Sequence, residues 1–227
     1  TIIPPKPSLV PVECAEKWVS ELMGLTLKNV LLTVCEEQSE KEVFCDQGEL
    51  LITHFGLSGP LVLSASSHMK GLPSKRYLMK IDLKPALDFK TLDHRLQSDF
   101  AKYQNRDFVN ALGDLLPAKL IPAVIRESGI DSRKKVNVIT REERHKLLET
   151  LKGFTLTAVR FRPIDEAIIT SGGVKTSEIS PKTLESKLVN GLYFAGEVID
   201  VDAYTGGFNL QIAFSTAHLA ATSAAVE

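Results

Sequence analysis

Leu192-Tyr193-Phe194-Ala195-Gly196-Glu197-Val198-Ile199-Asp200-Val201-Asp202-Ala203-Tyr204-Thr205-Gly206-Gly207-Phe208-Asn209-Leu210-Gln211 is the stretch that decides the fold. Its first four residues form a short, wholly apolar run, as in a buried strand. An acidic loop follows, then a glycine pair, then a long segment without helix breakers. Strand, loop, glycine turn and long helix in that order belong to an α/β sheet. Ala167-Ile168-Ile169 is a second short apolar strand candidate nearby. The other chain partners of such a sheet are missing from the sequence. The unit from about residue 164 onward therefore reads as completing a domain whose larger part lies upstream.

The apolar segment 208–226 is long enough to raise the question of a membrane. It carries Asn209, Gln211, Ser215, Thr216, His218, Thr222 and Ser223, which point to a buried helix instead of a span. No signal peptide or lipidation motif is visible, so the expected location is the cytoplasm. The 227 residues are 44% apolar and 24% charged, which excludes a disordered chain. The formal net charge of −1 supplies no global basic field for nucleic acid or an anionic membrane. Cys14, Cys35 and Cys45 are odd in number and lack CxxC spacing, so they read as reduced thiols and imply no metal site. The chain opens on Thr1-Ile2-Ile3-Pro4-Pro5-Lys6-Pro7. That extended, proline-stiffened run reads as the middle of a longer protein.

Upstream of the deciding stretch, residues 22–83 are rich in strand patterns. Residues 25–34 form one β-type run. Asp46-Gln47-Gly48-Glu49, between Val43-Phe44-Cys45 and Leu50-Leu51-Ile52, predicts a hairpin turn. Tyr77, Met79, Ile81 and Leu83 alternate as in a half-buried strand. Residues 91–153 then switch to helical spacing. Leu92, Leu96, Phe100 and Tyr103 mark a first helix. Phe108, Ala111, Leu112 and Leu115 mark a second, ended before Pro117. Leu120, Ile121, Val124 and Ile125 mark a third, stopped at Gly129. Thr140-Arg141-Glu142-Glu143 is a capping box opening a fourth helix, closed by Gly153. Strand pattern returns at Phe154, Leu156 and Ala158, then slips phase at Val159 and Phe161, which predicts a bulge. A helical array inserted between strands of one β unit accounts for this order.

Several motifs can carry chemistry, each with a plainer account beside it. Gly206-Gly207-Phe208-Asn209 opens the last helix. Glycines allow close approach, and N–H groups at a helix start attract negative charge. A glycine turn with tight packing explains the same residues. Glu197, Asp200 and Asp202 follow the strand, where an acid can bind sugar or ribityl hydroxyls; a solvated acidic loop is the alternative. Thr170-Ser171-Gly172-Gly173-Val174 can bring backbone amides to a planar ring, or form a simple turn. His54 in Thr53-His54-Phe55-Gly56-Leu57-Ser58-Gly59-Pro60 can act as acid or base, or be a structural histidine. Ser58 lacks the full G-x-S-x-G elbow, and either Ser58 or Gly59 reads as the cap of a short helix with Pro60 in its first turn. The sequence holds no G-x-G-x-x-G and no Walker loop.

Taken together, these pieces resemble the YhiN/BaiN-type flavoproteins, also called aminoacetone-oxidase-like. The resemblance rests on Thr170-Ser171-Gly172-Gly173-Val174, on the run from Glu185 through Ala195-Gly196-Glu197 to Asp202, on Tyr204-Thr205-Gly206-Gly207-Phe208-Asn209-Leu210-Gln211, on the opening residues 1–11, and on residues 53–60. It implies an α+β multi-domain fold. Residues 1–12 would link from the upstream FAD domain. Residues 13–163 would form a β-barrel with a helical subdomain at about 88–152. Residues 164–227 would be the C-terminal strand–helix part of a Rossmann-like FAD-binding domain.

The same resemblance implies FAD as cofactor and NAD(P)H as an electron donor. Ser171, Gly172, Gly173, Gly196, Glu197, Gly206, Gly207, Phe208 and Asn209 would bind the cofactor. The resemblance assigns no catalytic acid or base; His54 is the candidate from its own motif, and the expected substrate is a small molecule. Nucleic acid and membrane are not expected partners. The family's upstream glycine-rich turn for the FAD pyrophosphate is not in this sequence. The competing expectation is a substrate- or partner-binding module that by itself holds no flavin.

Overall fold

The computed structural model describes residues 1–225. The segment expected at 164–227 is therefore described up to Ala225; Val226 and Glu227 lie outside the described residues. The strands are β1 (Ile2–Ser8), β2 (Val12–Cys14), β3 (Thr26–Glu36), β4 (Glu42–Ile52), β5 (Gly56–Ser58), β6 (Tyr77–Asp82), β7 (Phe154–Phe161) and β8 (Ile169–Val174). The α-helices are α1 (Pro60–Ser66), α2 (Phe89–Lys102), α3 (Ile121–Ser128), α4 (Arg141–Lys152) and α5 (Phe208–Ala224). The fold is α+β. Six strands close a barrel in the order β2-β5-β4-β3-β6-β7, and β1 and β8 form a separate antiparallel pair. The chain divides into two compact units. One holds Thr1–Val12, Val62–Lys70 and the chain from Phe161 on; the other holds Glu13–Leu61 and Gly71–Arg160.

In the barrel unit, Leu27, Val30, Leu32 and Val34 of β3 are buried. The step of three from Leu27 to Val30 breaks the two-residue alternation. The pairing shows why: Leu27 faces Leu50 while Val30 faces Gly48, so β3 bulges by one residue. Asn29 in the bulge has φ 54°, which asparagine tolerates well. The hairpin expected at Asp46–Glu49 does not form. β4 runs unbroken from Glu42 to Ile52, and β3 offers it hydrogen-bond partners along that whole length. The reversal comes earlier, where the Glu36 N–H donates to the Lys41 carbonyl and Glu40 takes φ 54°. The bulge expected near Val159 is also absent from the β6–β7 ladder. Pairing is regular from Phe154 to Ala158, and it ends where the apolar pattern slips.

The helical array lies between β6 and β7 in the chain. Asp88 caps α2 by accepting the Thr91 N–H at 2.7 Å. At α4, Glu143 N–H donates to Thr140 Oγ1, and Thr140 N–H donates to Glu143 Oε2. Gly129 ends α3 with φ 67°, a conformation that glycine adopts without strain. The core is built from Leu92, Leu96, Val124, Leu147, Leu148 and Leu151, all buried. The helix expected over 108–115 shrinks to a 3-10 turn at Phe108–Asn110. Phe108 and Val109 give their N–H groups to the carbonyls of Lys134 and Ser132, so this backbone is held by the turn before Lys135.

In the other unit, the proline-rich opening is strand β1. Ile3 pairs with Gly173 and Lys6 with Ser171, so Pro4 and Pro5 together oppose Gly172. A side chain at Gly172 would sit 2.6 Å from the Pro4 carbonyl oxygen, and one at Gly173 would collide with the Val198 carbonyl. Both glycines have positive φ, at 99° and 124°. They belong to strand β8 itself and not to a turn after it. Leu192–Ala195, expected as a strand, makes only an isolated bridge, Tyr193 with Glu185. No strand lies beside it among the described residues, and an apolar run without a ladder partner does not become a strand. Its side chains instead help cover a small core of Val174, Ile179, Leu184, Ile199 and Ala220. Helix α5 is apolar on most sides, yet Phe208, Leu210 and Phe214 are 58%, 64% and 69% exposed. No helix among the described residues is long and apolar enough to cross a membrane.

Candidate functional site

A cavity of about 440 Å³ opens in the unit that carries α5. That lies within the range of about 300–1,000 Å³ usual for small-molecule and cofactor sites. Leu9, Ile168 and Ile169 line it, together with Leu210, Ile212 and Ala213 of α5. Its polar lining comes from Gly196, Glu197, Tyr204, Thr205, Gly206 and Gly207 of the connection before α5 and from Asn209 in the helix's first turn. Sequence separation hides this grouping, since Leu9 lies almost two hundred positions from the helix.

The glycine pair is shaped for close approach. Gly206 has φ 108° and Gly207, the residue capping α5, has φ 91°. Only glycine holds such values without strain. A side chain added at Gly207 would meet nothing within 4 Å, so no protein atom occupies the space before it. The first turn of α5 has no side-chain cap and no acidic residue. Its leading N–H groups and the helix dipole together present partial positive charge to whatever sits there.

Asn209 holds this turn in shape. Its Oδ1 accepts the Ala203 N–H at 2.9 Å, and its Nδ2 donates to the Ala203 carbonyl at 2.8 Å and the Tyr204 carbonyl at 3.3 Å. Glu197 Oε1 accepts from the Thr170 N–H at 2.6 Å and the Thr170 hydroxyl at 3.0 Å. A carboxylate has room for about four such bonds, so acceptor capacity remains for ligand hydroxyls. Asp200 and Asp202 are committed internally. Asp200 Oδ1 accepts the Gly172 N–H at 3.0 Å, and Asp202 Oδ2 accepts the Ser8 hydroxyl at 2.6 Å.

Of the nine residues expected to bind a cofactor, Gly196, Glu197, Gly206, Gly207 and Asn209 line the cavity. Ser171, Gly172 and Gly173 sit in the β1–β8 pair, and Phe208 is exposed at the start of α5. His54, in the other unit, is exposed in the turn between β4 and β5, its ring edge-on to Phe55 at 4.9 Å. Ser58 is a strand residue facing Leu51, and Pro60 begins α1 as expected. Among the described residues, no group of three or more His, Cys, Asp or Glu could hold a metal ion.

Tyr204 belongs to no catalytic motif that local spacing reveals. It lines the cavity, and its hydroxyl lies 2.6 Å from His68 Nε2. Burial pushes the His68 imidazole below its ordinary pKa, Lys70 adds to that, and Asp202 opposes it. These surroundings favour the neutral ring. In the barrel unit, a second cleft of about 680 Å³ lies along α2 and α4. Its charges brace one another: Arg144 donates to Asp93 at 2.6 Å, and His145 lies 3.4 Å from Glu149.

Comparison with known proteins matches both parts of the chain. Residues 6–169 match the HI0933-like protein barrel and H2TH domain, and residues 123–223 match the HI0933-like protein Rossmann domain. The chain is 30% identical, over 99% of its length and 55% of the relative's, to a 3-dehydro-bile acid delta(4,6)-reductase of Clostridium scindens. It is 34% identical, over 98% of its length and 52% of the relative's, to a ribosomal RNA dihydrouridine synthase of Haemophilus influenzae. A ribosomal RNA dihydrouridine synthase of Escherichia coli is 33% identical, over 95% of the chain and 51% of that relative. The chain thus spans about half the length of the curated relatives it matches. With a family match that covers the barrel, the helical array and the segment carrying the cavity, the chain belongs to the HI0933-like protein family.

Proposed function

We propose that the whole protein is an FAD-dependent oxidoreductase whose flavin ring lies against the Gly206-Gly207 turn. The observation that carries this reading is the apolar cavity fronted by two positive-φ glycines and an uncapped helix start. A planar, apolar ring fits the space that a side chain at Gly207 would enter. Reduced flavin is anionic at its N1/O2 edge, and the α5 N–H groups would stabilise that charge. Glu197 would accept from ribityl hydroxyls. Asn209 would keep the glycine turn fixed, and Leu9, Ile168 and Ile169 would keep water from the ring. When bound, flavin supplies hydride transfer, which no side chain can perform alone. NAD(P)H is the proposed electron donor.

The names of the relatives narrow the reaction class. Turning uridine into dihydrouridine adds two hydrogens across a C=C bond conjugated to a carbonyl. A Δ4,6 double-bond system beside a 3-keto group is conjugated in the same way. We therefore propose reduction of a carbonyl-conjugated C=C bond, with hydride delivered to the carbon β to the carbonyl.

A second reading concerns the chain by itself. The sequence holds no G-x-G-x-x-G turn for a pyrophosphate, and α5 exposes Leu210 and Phe214. This favours a module that binds flavin only together with an upstream segment. One experiment covers both: titrate FAD into the chain alone and into the whole protein. The proposal expects tight flavin binding by the whole protein and little by the chain. A whole protein that neither carries nor binds FAD would refute the first reading.

A further inference from the structure

His68 and Tyr204 lie 136 positions apart; Tyr204 lines the cavity, and its hydroxyl meets His68 behind it in the same unit. Two contacts fix the arrangement. Tyr204 Oη is 2.6 Å from His68 Nε2, with ring centroids 5.5 Å apart, and the neighbouring Thr205 hydroxyl is 3.3 Å from the Ser64 hydroxyl. Asn209 Nδ2 also holds the Tyr204 carbonyl. The tyrosine is thereby anchored through its backbone, its ring and its hydroxyl while lining the same space as Gly206 and Gly207.

We propose that Tyr204 is the proton donor of the reaction, positioned and recharged by His68. The inference rests on the proposed reduction of a carbonyl-conjugated C=C bond. In that reaction the hydride forms a C–H bond at the β carbon, and the π electrons move onto the carbonyl oxygen as an enolate. The two electrons come from reduced flavin, which is oxidised and in turn takes them from NAD(P)H. The enolate needs a proton at the α carbon. The Tyr204 O–H breaks as the α C–H bond forms, leaving a phenolate. A phenol, with an ordinary pKa of about 10, is a far weaker base once ionised than an enolate, so the transfer runs downhill. His68, neutral and carrying its proton on Nε2, donates to the phenolate oxygen; as that proton crosses, Nδ1 takes one from solvent, so the ring stays neutral throughout. Burial and the Lys70 charge keep the imidazole neutral against the pull of Asp202.

The test uses the whole protein loaded with FAD, NADPH as reductant and 2-cyclohexenone as probe, in stopped flow without oxygen. For Tyr204→Phe, reoxidation of the flavin by the probe should slow at least about 100-fold relative to flavin reduction by NADPH, the usual scale for a lost general acid. His68→Gln should slow the same step and shift its pH profile. A second readout needs no turnover: in the protein without flavin, the 15N resonances of the His68 ring should move in Tyr204→Phe. Wild-type protein that binds no FAD, or leaves the probe unreduced, overturns the proposed function. Wild-type protein that reduces the probe, with Tyr204→Phe keeping the same ratio of the two steps, overturns this inference alone. Unmoved His68 resonances overturn the pairing.

Discussion

Gly172 shows how one residue can be fixed by a distant part of the chain. It faces the Pro4-Pro5 bulge of β1, its φ is 99°, and a side chain there would press on the Pro4 carbonyl at 2.6 Å. Gly172→Ala should destabilise the unit by about 2 kcal/mol or more. A urea midpoint equal to wild type would contradict that. The cysteines differ just as sharply. Burial, followed by the charge of Glu16, pushes the Cys14 thiol up to about 12. Its thiolate fraction at about pH 8 is on the order of one part in ten thousand. Cys45 is exposed. Iodoacetamide should therefore modify Cys45 first and leave Cys14 intact in the folded protein; fast labelling of Cys14 by mass spectrometry would count against this account. Gly172 looked like a ring-approach glycine in the sequence because its true partner, Pro4, is far away in the chain. Tyr204 and His68 escaped notice for the same reason.

Among elements, those decided by near neighbours were legible. Thr140 and Glu143 form the capping box that their spacing announces, and Gly129 ends α3 in the left-handed conformation. Thr140→Ala should cost α4 about 1 kcal/mol, read as a lower thermal midpoint, and no change would argue that the box is idle. Elements decided by remote pairing were less legible. Asp46–Glu49 carries turn residues, yet β3 holds it in a strand. Leu192–Ala195 carries strand residues and makes only one bridge. Acid should act on the helical array through its carboxylates. Arg144 beside Asp93 and Lys134 beside Glu143 hold both carboxyls below their ordinary values. A depressed folded pKa stabilises above the unfolded value, and the contribution is lost as pH falls through the folded one. Helicity by circular dichroism should hold to about pH 4 and fall below it. Helicity lost instead on raising the pH would contradict the sign.

At the scale of the molecule, the order of strands, inserted helices, strands and terminal helix was readable, because hydrophobic period changes from two to 3.6 and back at Thr91 and Phe154. The closed barrel was implied by the family resemblance alone; patterning does not give it, since closure depends on which edges meet. Nor does α5 explain itself within this chain: it is apolar on most sides, with Phe214 69% exposed. We propose that the remainder of a Rossmann-like domain covers it in the whole protein. The chain alone should then bind the apolar dye ANS strongly, and the whole protein weakly. Equal dye binding would remove that reason for an upstream partner.

The central claim is that flavin meets the Gly206-Gly207 turn. Its most direct test is a calorimetric titration of FAD into flavin-stripped whole protein, wild type beside Gly207→Phe. The phenyl ring would project into the open space before Gly207, where the flavin would otherwise lie, and Gly207→Ala, with the same backbone strain at φ 91° but no ring, serves as the control. The expected result is one FAD per wild-type chain and at least a tenfold loss of affinity in the variant, about 1.4 kcal/mol. Equal affinity in the two proteins would contradict it.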